Sequence, residues 1–163
     1  MPRAYIGLGA NLGDPAAQVR AALARIARLG GTKLTVHSEL YRSDPLGGKN
    51  QPHYCNAVCE VETTLTAQKL LEQLHAIESA LGRVRPPQRW ASRLIDLDLL
   101  LYGDVRSATA SLQLPHPEMH KRNFVMVPLA QVAPELEIPG HGSVVELAAN
   151  LGRAGLAHWS PEN

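Results

Sequence analysis

The order of secondary-structure signals in the sequence predicts an α+β fold with a ferredoxin-like βαββαβ core. Three observations lead to this prediction: two segments with helical apolar spacing, short β-rich segments on both sides of each, and one strand of almost continuous Leu and Ile. An antiparallel sheet with helices packed on one face accommodates this order, and the rest of the chain forms C-terminal additions. With 163 residues and no linker or repeat, residues 1–163 are expected to form a single domain.

The first half of the core begins with a short buried strand, residues 4–8, followed by a glycine-rich turn at residues 9–13. Asp14 is placed as an N-cap and Pro15 as the first helical residue, because the carboxylate accepts from free amides and proline pre-sets φ. The apolar residues of this helix recur at helical spacing up to the glycine pair at 30–31, which ends it.

The second half of the predicted core also consists of a helix with strands before and after it. Thr66 is expected to cap a second amphipathic helix that ends at Gly82. The other predicted elements are a strand at 33–43, a loop at 44–52, a strand at 57–63, an arginine-rich loop at 83–92, a strand at 94–102 and a helix near 124–132. From residue 134 the pattern is weak.

Composition excludes several classes of function. The formal net charge is +1, so no global charge argues for nucleic acid or for an acidic membrane surface. The chain shows no signal-peptide pattern and no apolar segment of the ~20 residues that a membrane span needs, so a cytoplasmic protein is expected. Cys55 and Cys59 have no further cysteines to complete a zinc set and are expected to be reduced core thiols.

The sharpest local feature is the pair Asp96 and Asp98 in the Leu-rich strand. Alternate strand residues share a face, so both carboxylates project together, with Cα atoms roughly 6.6 Å apart. Two carboxylates among leucines are poorly solvated and repel each other, which favours a bound cation. Taken alone, the pair is equally compatible with the solvated polar face of an edge strand.

The neighbouring arginines favour the cation. Arg83, Arg85, Arg89 and Arg93 all precede the acidic strand, and guanidinium groups bind phosphate oxygens bidentately. Together with oxygen ligands, which magnesium prefers, they indicate a metal–polyphosphate site. The alternative is a solvated basic loop paired with surface acids. The chain has no P-loop motif, and the glycines at residues 7–13 miss the dinucleotide fingerprint, so they are interpreted as close backbone packing.

Residues 89–100, Arg-Trp-Ala-Ser-Arg-Leu-Ile-Asp-Leu-Asp-Leu-Leu, are similar to the signature of the hydroxymethyldihydropterin pyrophosphokinases of folate biosynthesis. Five further segments agree in order and spacing: residues 7–14, 41–47, 51–56, 82–85 and 114–117. The resemblance covers nearly the whole chain. It implies transfer of pyrophosphate from ATP to the hydroxymethyl group of 6-hydroxymethyl-7,8-dihydropterin, with release of AMP.

The resemblance also implies roles for individual residues around ATP. Asp96 and Asp98 would ligate two Mg²⁺ ions that bridge the triphosphate, and Arg83 and Arg93 would be catalytic phosphate-binding residues. The other residues placed at ATP are His75, Glu78, Arg85, Trp90, Leu99 (through its main chain), His116 and Arg122. His75 departs from the Gln that is frequent in the family, which leaves its nucleotide contact open.

For the pterin, the resemblance implies that Tyr54 and Phe124 sandwich the ring, and a flat heterocycle gains from such stacking. The polar edge would meet Asn56, together with Ser43, Asp44 and Leu46, of which Ser43 and Leu46 contribute backbone groups. Asp44 stands where the family commonly has Pro or Ala, but this position is expected to contribute only backbone.

The resulting hypothesis is a monomeric, Mg²⁺-dependent enzyme whose only partners are ATP and the dihydropterin. The pterin hydroxyl would attack the β-phosphorus in line, a reaction that depends mainly on positioning and charge neutralisation. Two other classes stay open at this point: a metal-dependent phosphohydrolase and a non-catalytic ferredoxin-like binding module. Consumption of ATP without an acceptor distinguishes the first, and failure to bind nucleotide with magnesium distinguishes the second.

Overall fold

The computed structural model describes residues 1–44, 52–82 and 94–160. The main strands are β1 (Arg3–Ala10), β2 (Thr32–His37), β3 (Tyr41–Ser43), β4 (Tyr54–Thr63) and β5 (Asp96–Tyr102). The helices are α1 (Pro15–Ala27), α2 (Ala67–Gly82), α3 (Asn123–Val132) and α4 (Val144–Leu151), with a 3₁₀ turn at Met119–Lys121. The short strands are β6 (Ser107–Ala108), β7 (Gln113–Leu114), β8 (Glu137–Ile138), β9 (Gly142–Ser143) and β10 (Leu156–His158).

A six-stranded sheet organises the described part of the chain. Its order is β10-β3-β4-β1-β5, with β2 also paired to β4, and every pairing is antiparallel. The strands β6 and β7 form one small hairpin, and β8 and β9 form another. The predicted mixture of helices with an antiparallel sheet is therefore confirmed. Within the described ranges, no helix has the length and apolar character required to cross a bilayer.

Helices cover both faces of the sheet. The helices α1 and α2 pack with Ile6, Leu8 and Leu97 in one apolar core, whereas α3 and α4 pack with Tyr5 and Leu100 in another. The two helices of the predicted core thus lie on one face, as expected, and the C-terminal helices, to which the sequence assigned no face, cover the other. The reason lies in the central strands, which present apolar side chains in both directions and so require cover on both sides.

The predicted N-caps of α1 and α2 are both present in the structure. Asp14 accepts a hydrogen bond from Ala17 N through Oδ1 at 3.1 Å, and Pro15 occupies the first turn of α1. Thr66 Oγ1 accepts from Lys69 N at 3.2 Å at the start of α2. These side chains satisfy amides that no helical carbonyl can reach. Both helices are thus determined by short-range sequence.

The predicted strand at residues 33–43 is interrupted in the structure. Ser38 lies between β2 and β3, is buried, and accepts from Val58 N through Oγ at 3.0 Å. Its own N–H donates to Val58 O at 2.8 Å. Because the hydroxyl of Ser38 accepts from Val58 N in place of a main-chain carbonyl, the backbone hydrogen-bond ladder with β4 is interrupted at this residue. Strand boundaries also differ: β1 continues to Ala10, so the predicted turn begins later than expected, and β4 begins at Tyr54, before the predicted residue 57.

Candidate active site

Strand β5 presents Asp96 and Asp98 on one face, as predicted. Leu97 and Leu99 are only 2% and 4% exposed and lie in the core shared with α1 and α2. Asp98 is half-buried and Asp96 is exposed. The alternation of strand side chains therefore leaves two carboxylates on the opposite face of β5.

Two glycines of the central strand β1 lie beside these carboxylates. Gly7 pairs with Asp98 and Gly9 pairs with Asp96 across the β1–β5 ladder. A Cβ atom at Gly9 would lie 3.1 Å from Asn56 Nδ2, and one at Gly7 would lie 3.4 Å from Leu100 Cδ2. The glycines thus form a bare strip of backbone on the face that carries the carboxylates. Sequence reasoning assigned them only to close packing, and the strip became visible once the register placed them opposite the aspartates.

A first pocket, of about 140 Å³, lies over this strip. It brings together most of the residues expected around the pterin with both aspartates. Its lining residues are Gly7, Leu8, Gly9, Ser43, Asp44, Tyr54, Asn56, Ala57, Asp96, Asp98, Arg122, Phe124 and Val125. Strands β1, β3, β4 and β5 and the start of α3 all contribute to it.

The amide of Asn56 is oriented by a buried partner. Its Oδ1 accepts a hydrogen bond from the hydroxyl of Ser43, and the two residues are 6% and 4% exposed. This contact uses the carbonyl end of the amide and leaves Nδ2 near the Gly9 backbone in the pocket. Asn56 therefore presents a fixed hydrogen-bond donor at the pocket floor.

Arg122 lies with the residues expected around the pterin. It lines the first pocket, and its guanidinium carbon is 5.8 Å from the centroid of the Phe124 ring. The resemblance implied an ATP contact for Arg122. The structure places it in the lining of the first pocket, which also contains both aspartates, and the ATP contact stays a prediction.

A second pocket, of about 210 Å³, lies along the outer edge of β5. It gathers four residues expected around ATP, namely His75, Glu78, Leu99 and His116. The remaining lining residues are Leu71, Leu97, Asp98, Leu112, Gln113 and Pro117. Asp98 therefore lines both pockets. Sequence reasoning missed Leu112 and Gln113, which border or form a two-residue strand too short to leave a periodic signal.

Glu78 connects α2 to the edge strand. Its Oε2 accepts a hydrogen bond from Leu97 N at 2.8 Å. Since β5 is the last strand on this side of the sheet in the described part of the chain, no described strand pairs with this N–H. The carboxylate thus fixes the beginning of β5, immediately before Asp98.

His116 is held by its backbone and by its ring. Its N–H donates to Leu100 O at 2.9 Å, and its Nδ1 accepts from Glu118 N at 3.2 Å. Burial lowers the pKa of His116 below its ordinary value, although the carboxylate of Asp98 acts in the opposite direction. A neutral imidazole that accepts at Nδ1 carries its proton on Nε2. His116 can therefore offer a neutral donor in the second pocket.

Five predicted site residues lie outside the described ranges: Leu46, Arg83, Arg85, Trp90 and Arg93. Within those ranges, no group of three or more His, Cys, Asp or Glu side chains could enclose a metal ion. A metal at Asp96 and Asp98 therefore needs oxygen ligands from elsewhere, such as a polyphosphate. Cys55 and Cys59 are free and buried, as expected, and burial raises the pKa of the Cys55 thiol to about 12.

Comparison with known proteins identifies relatives along most of the chain. Residues 5–134 match the family described as 7,8-dihydro-6-hydroxymethylpterin-pyrophosphokinase (HPPK). The 2-amino-4-hydroxy-6-hydroxymethyldihydropteridine pyrophosphokinase of Haemophilus influenzae is 46% identical over 147 residues, covering 90% of this chain and 91% of the relative. Its counterpart from Pseudomonas aeruginosa is 44% identical, with 90% of each chain covered.

Solved structures agree in fold. An HPPK-DHPS structure in complex with substrates has a TM-score of 0.75 at 9% identity, covering 97% of this chain and 48% of the other. The HPPK-DHPS triple mutant of Plasmodium falciparum has a TM-score of 0.71 at 14% identity, covering 91% and 44%. This chain thus spans less than half of those longer chains.

An antiparallel sheet with helices on both faces and two pockets that share a carboxylate suits an enzyme that joins two small-molecule substrates. The relatives define its class, because they are diphosphokinases. The chain belongs to the 7,8-dihydro-6-hydroxymethylpterin-pyrophosphokinase family of the folate pathway.

Proposed function

We propose that this chain uses the two pockets to transfer pyrophosphate from ATP to the hydroxymethyl group of 6-hydroxymethyl-7,8-dihydropterin, with release of AMP. The observation that carries this proposal is the shared position of Asp98, which lines both pockets. A donor in one pocket and an acceptor in the other meet at this carboxylate. Holding two reactants in this way converts a bimolecular step into an effectively unimolecular one.

In this proposal the first pocket binds the pterin. Tyr54 and Phe124 both line it and supply aromatic faces for a flat heterocycle. Asn56, oriented by Ser43, supplies a donor for an acceptor atom at the edge of the ring. The glycine strip lets the ring lie close to the sheet, because a side chain at Gly9 would occupy the same space.

The second pocket binds ATP in this proposal. It opens along the edge of β5, where the main chain around Leu99 can recognise a base, and His116 offers a neutral donor to the nucleotide. His75 and Glu78 belong to the same wall. Arg83, Arg85, Trp90 and Arg93 complete the proposed ATP site from the segment before β5.

Asp96 and Asp98 fit magnesium because they are oxygen donors on one strand face and open to a pocket. We assign two Mg²⁺ ions to them, with the phosphates of ATP as further ligands. When bound, Mg²⁺ would neutralise charge on the phosphate oxygens and would polarise the attacking hydroxyl. The protein residues orient the two substrates, and the arginines hold the phosphates through bidentate hydrogen bonds. Catalysis then rests on positioning and electrostatics.

The proposal includes the organisation of the molecule. The strand order, in which β5, β1 and β4 are followed by β2 and β3, supports the ferredoxin-like arrangement of the core. We propose that residues 1–163 form one domain that acts as a monomer in the cytoplasm on small molecules, without nucleic acid or membrane partners. Sedimentation of the purified protein tests the monomer.

An assay for AMP that depends on both hydroxymethyldihydropterin and magnesium tests the reaction. We expect Asp98→Ala to keep the fold, as measured by circular dichroism, and to lose pyrophosphoryl transfer. Near-normal turnover of this variant at saturating magnesium would refute the metal assignment. AMP formation by the wild type without any pterin would instead indicate a phosphohydrolase.

Calorimetry tests the assignment of the two pockets. Tyr54→Ala is expected to weaken dihydropterin binding far more than ATP binding, because Tyr54 lines only the first pocket. Equal losses for the two ligands contradict the assignment. The reciprocal change, His116→Ala in the second pocket, is expected to weaken ATP binding more than dihydropterin binding.

A further inference from the structure

The first residue of α3 makes a contact that the site described above does not include. Asn123 lies between Arg122 and Phe124, and its Nδ2 donates to Gly152 O at 3.2 Å and Ala154 O at 3.0 Å. Both hydrogens of the amide nitrogen have acceptors in this arrangement. Asn123 is half-buried and does not line either pocket. Its side chain therefore joins the start of α3 to the chain that follows α4.

The segment held by Asn123 continues directly to a second wall of the first pocket, formed by Ser43 and Asp44. Asp44 N donates to Gly155 O at 3.0 Å, and Leu156 then pairs with Ser43 as β10 joins β3. The turn at residues 152–155 is thus hydrogen-bonded on one side to Asn123 and on the other to Asp44. It forms a bridge between the two walls of the pocket, which carry Phe124 and Ser43 respectively.

The bridge has a defined backbone shape. Gly152 and Gly155 have φ values of 73° and 74°, a region that glycine adopts without steric cost. Strand β10 contributes only three residue pairs to the sheet. Beyond β10 the segment is also held by Trp159 N, which donates to Leu40 O at 2.9 Å. Elements with few contacts open locally at low free energy, so the two hydrogen bonds from Asn123 contribute to holding the turn itself.

We propose that Asn123 is a positioning residue for the acceptor substrate: through the turn at residues 152–155, it fixes the distance between the aromatic wall at Phe124 and the polar wall at Ser43 and Asp44. The inference rests on the proposed function of the first pocket as the pterin site. A flat ring held between an aromatic face and a fixed edge is sensitive to this spacing, because stacking and edge hydrogen bonds must form together. Asn123 itself does not touch the substrate.

Two substitutions test the inference. Asn123→Ala removes the amide, and Asn123→Asp keeps its size but replaces the donor with an oxygen that faces two carbonyl oxygens. Loss of the two hydrogen bonds that hold the turn at residues 152–155 is expected to raise the dissociation constant for dihydropterin roughly five- to tenfold. The dissociation constant for ATP and the kcat at saturation of both substrates should change less than twofold. Calorimetry with magnesium and a non-hydrolysable ATP analogue, together with steady-state kinetics, measures these values.

Gln131→Ala is the matched control. Gln131 lies on the same helix, about 12 Å further along, and its Oε1 accepts from Glu39 N at 3.1 Å and Tyr41 Oη at 3.0 Å. It also ties α3 to the chain around β3 by two hydrogen bonds, but away from Phe124. We expect it to lower Tm as much as Asn123→Ala does while leaving the dissociation constant for dihydropterin within twofold of the wild-type value.

Phe124→Ala separates failure of this inference from failure of the pocket assignment. If Phe124→Ala weakens dihydropterin binding but both Asn123 variants bind like the wild type, the positioning role is refuted and the pocket assignment stands. An equal loss of dihydropterin affinity in Gln131→Ala and Asn123→Ala also refutes it, because general destabilisation then explains the effect. Wild-type affinity in Phe124→Ala refutes the pocket assignment and this inference together.

Discussion

Replacing Gly9 with alanine places one methyl group on the floor of the first pocket. The new Cβ would lie 3.1 Å from Asn56 Nδ2, whereas unstrained contacts of carbon atoms begin near 3.5 Å. Asn56 has little freedom to retreat, because Ser43 holds its other amide atom in a buried hydrogen bond. Gly9→Ala therefore pushes the amide donor out of position or leaves the methyl group in the space of the ligand.

The expected loss follows from the single contact that is disturbed. A misplaced donor costs roughly 1–3 kcal/mol when its partner is left unsatisfied, which corresponds to about 5- to 150-fold in the dissociation constant for dihydropterin. Stability should change little, because the roughly 0.5–1 kcal/mol by which a strand favours alanine over glycine offsets the cost of the close contact with Asn56. ATP binding should stay within twofold, since Gly9 does not line the second pocket.

Calorimetry with each ligand and thermal denaturation of the variant check these expectations. Gly30→Ala serves as the control, because Gly30 has open space around its Cβ position and lies outside both pockets. The reasoning is refuted if Gly9→Ala binds dihydropterin with wild-type affinity. It is also refuted if both ligands lose affinity equally, since the change would then not be confined to the floor of the first pocket.

Further predictions concern three polar side chains. Ser43→Ala leaves Asn56 Oδ1 without its buried partner and should lower the free energy of unfolding by about 1–3 kcal/mol in denaturant titrations, whereas an unchanged midpoint contradicts this contact. His116→Asn keeps an acceptor but removes the Nε2 proton, so KM for ATP should rise while KM for dihydropterin does not. Burial, His141 and Lys121 lower the pKa of His120 below 6.5. As the pH falls, the imidazole of His120 is therefore protonated in the unfolded state before it is protonated in the folded state. The free energy of unfolding then decreases below about pH 6.5. In His120→Gln, Tm should fall less between pH 7 and pH 5 than it does in the wild type. An equal fall in the two proteins refutes this prediction.

Features that depend on neighbours in sequence could be predicted from the sequence. The caps at Asp14 and Thr66 and the shared face of Asp96 and Asp98 all follow from spacing within a few residues. The resemblance to a family added residues distant in sequence, and the structure brings those within its described ranges into two adjoining pockets. The pocket that Arg122 lines could not be predicted from the sequence, because it depends on the direction from which α3 enters.

Features that depend on distant pairings could not be predicted. The three residues of β10 are too few to show a strand period, and they become a strand only because β3 offers an unpaired edge. The contact of Asn123 with Ala154 joins residues that are 31 positions apart, and no local pattern marks either partner. Packing on the second face of the sheet likewise depends on α3 and α4, whose partners include Tyr5 and Val58, far away in sequence.

The position of β5 at the end of the sheet has a consequence for the behaviour of the protein in concentrated solution. A terminal strand offers N–H and C=O groups to any passing chain, which promotes aggregation through strand addition. The other end of the sheet is extended by β10, but β5 must stay open if its main chain is to recognise a nucleotide. The carboxylate of Glu78 accepts a hydrogen bond from Leu97 N, and His116 N donates one to Leu100 O. Among the described residues, these contacts occupy the edge at two places and so shorten the run of main chain with which another strand could pair.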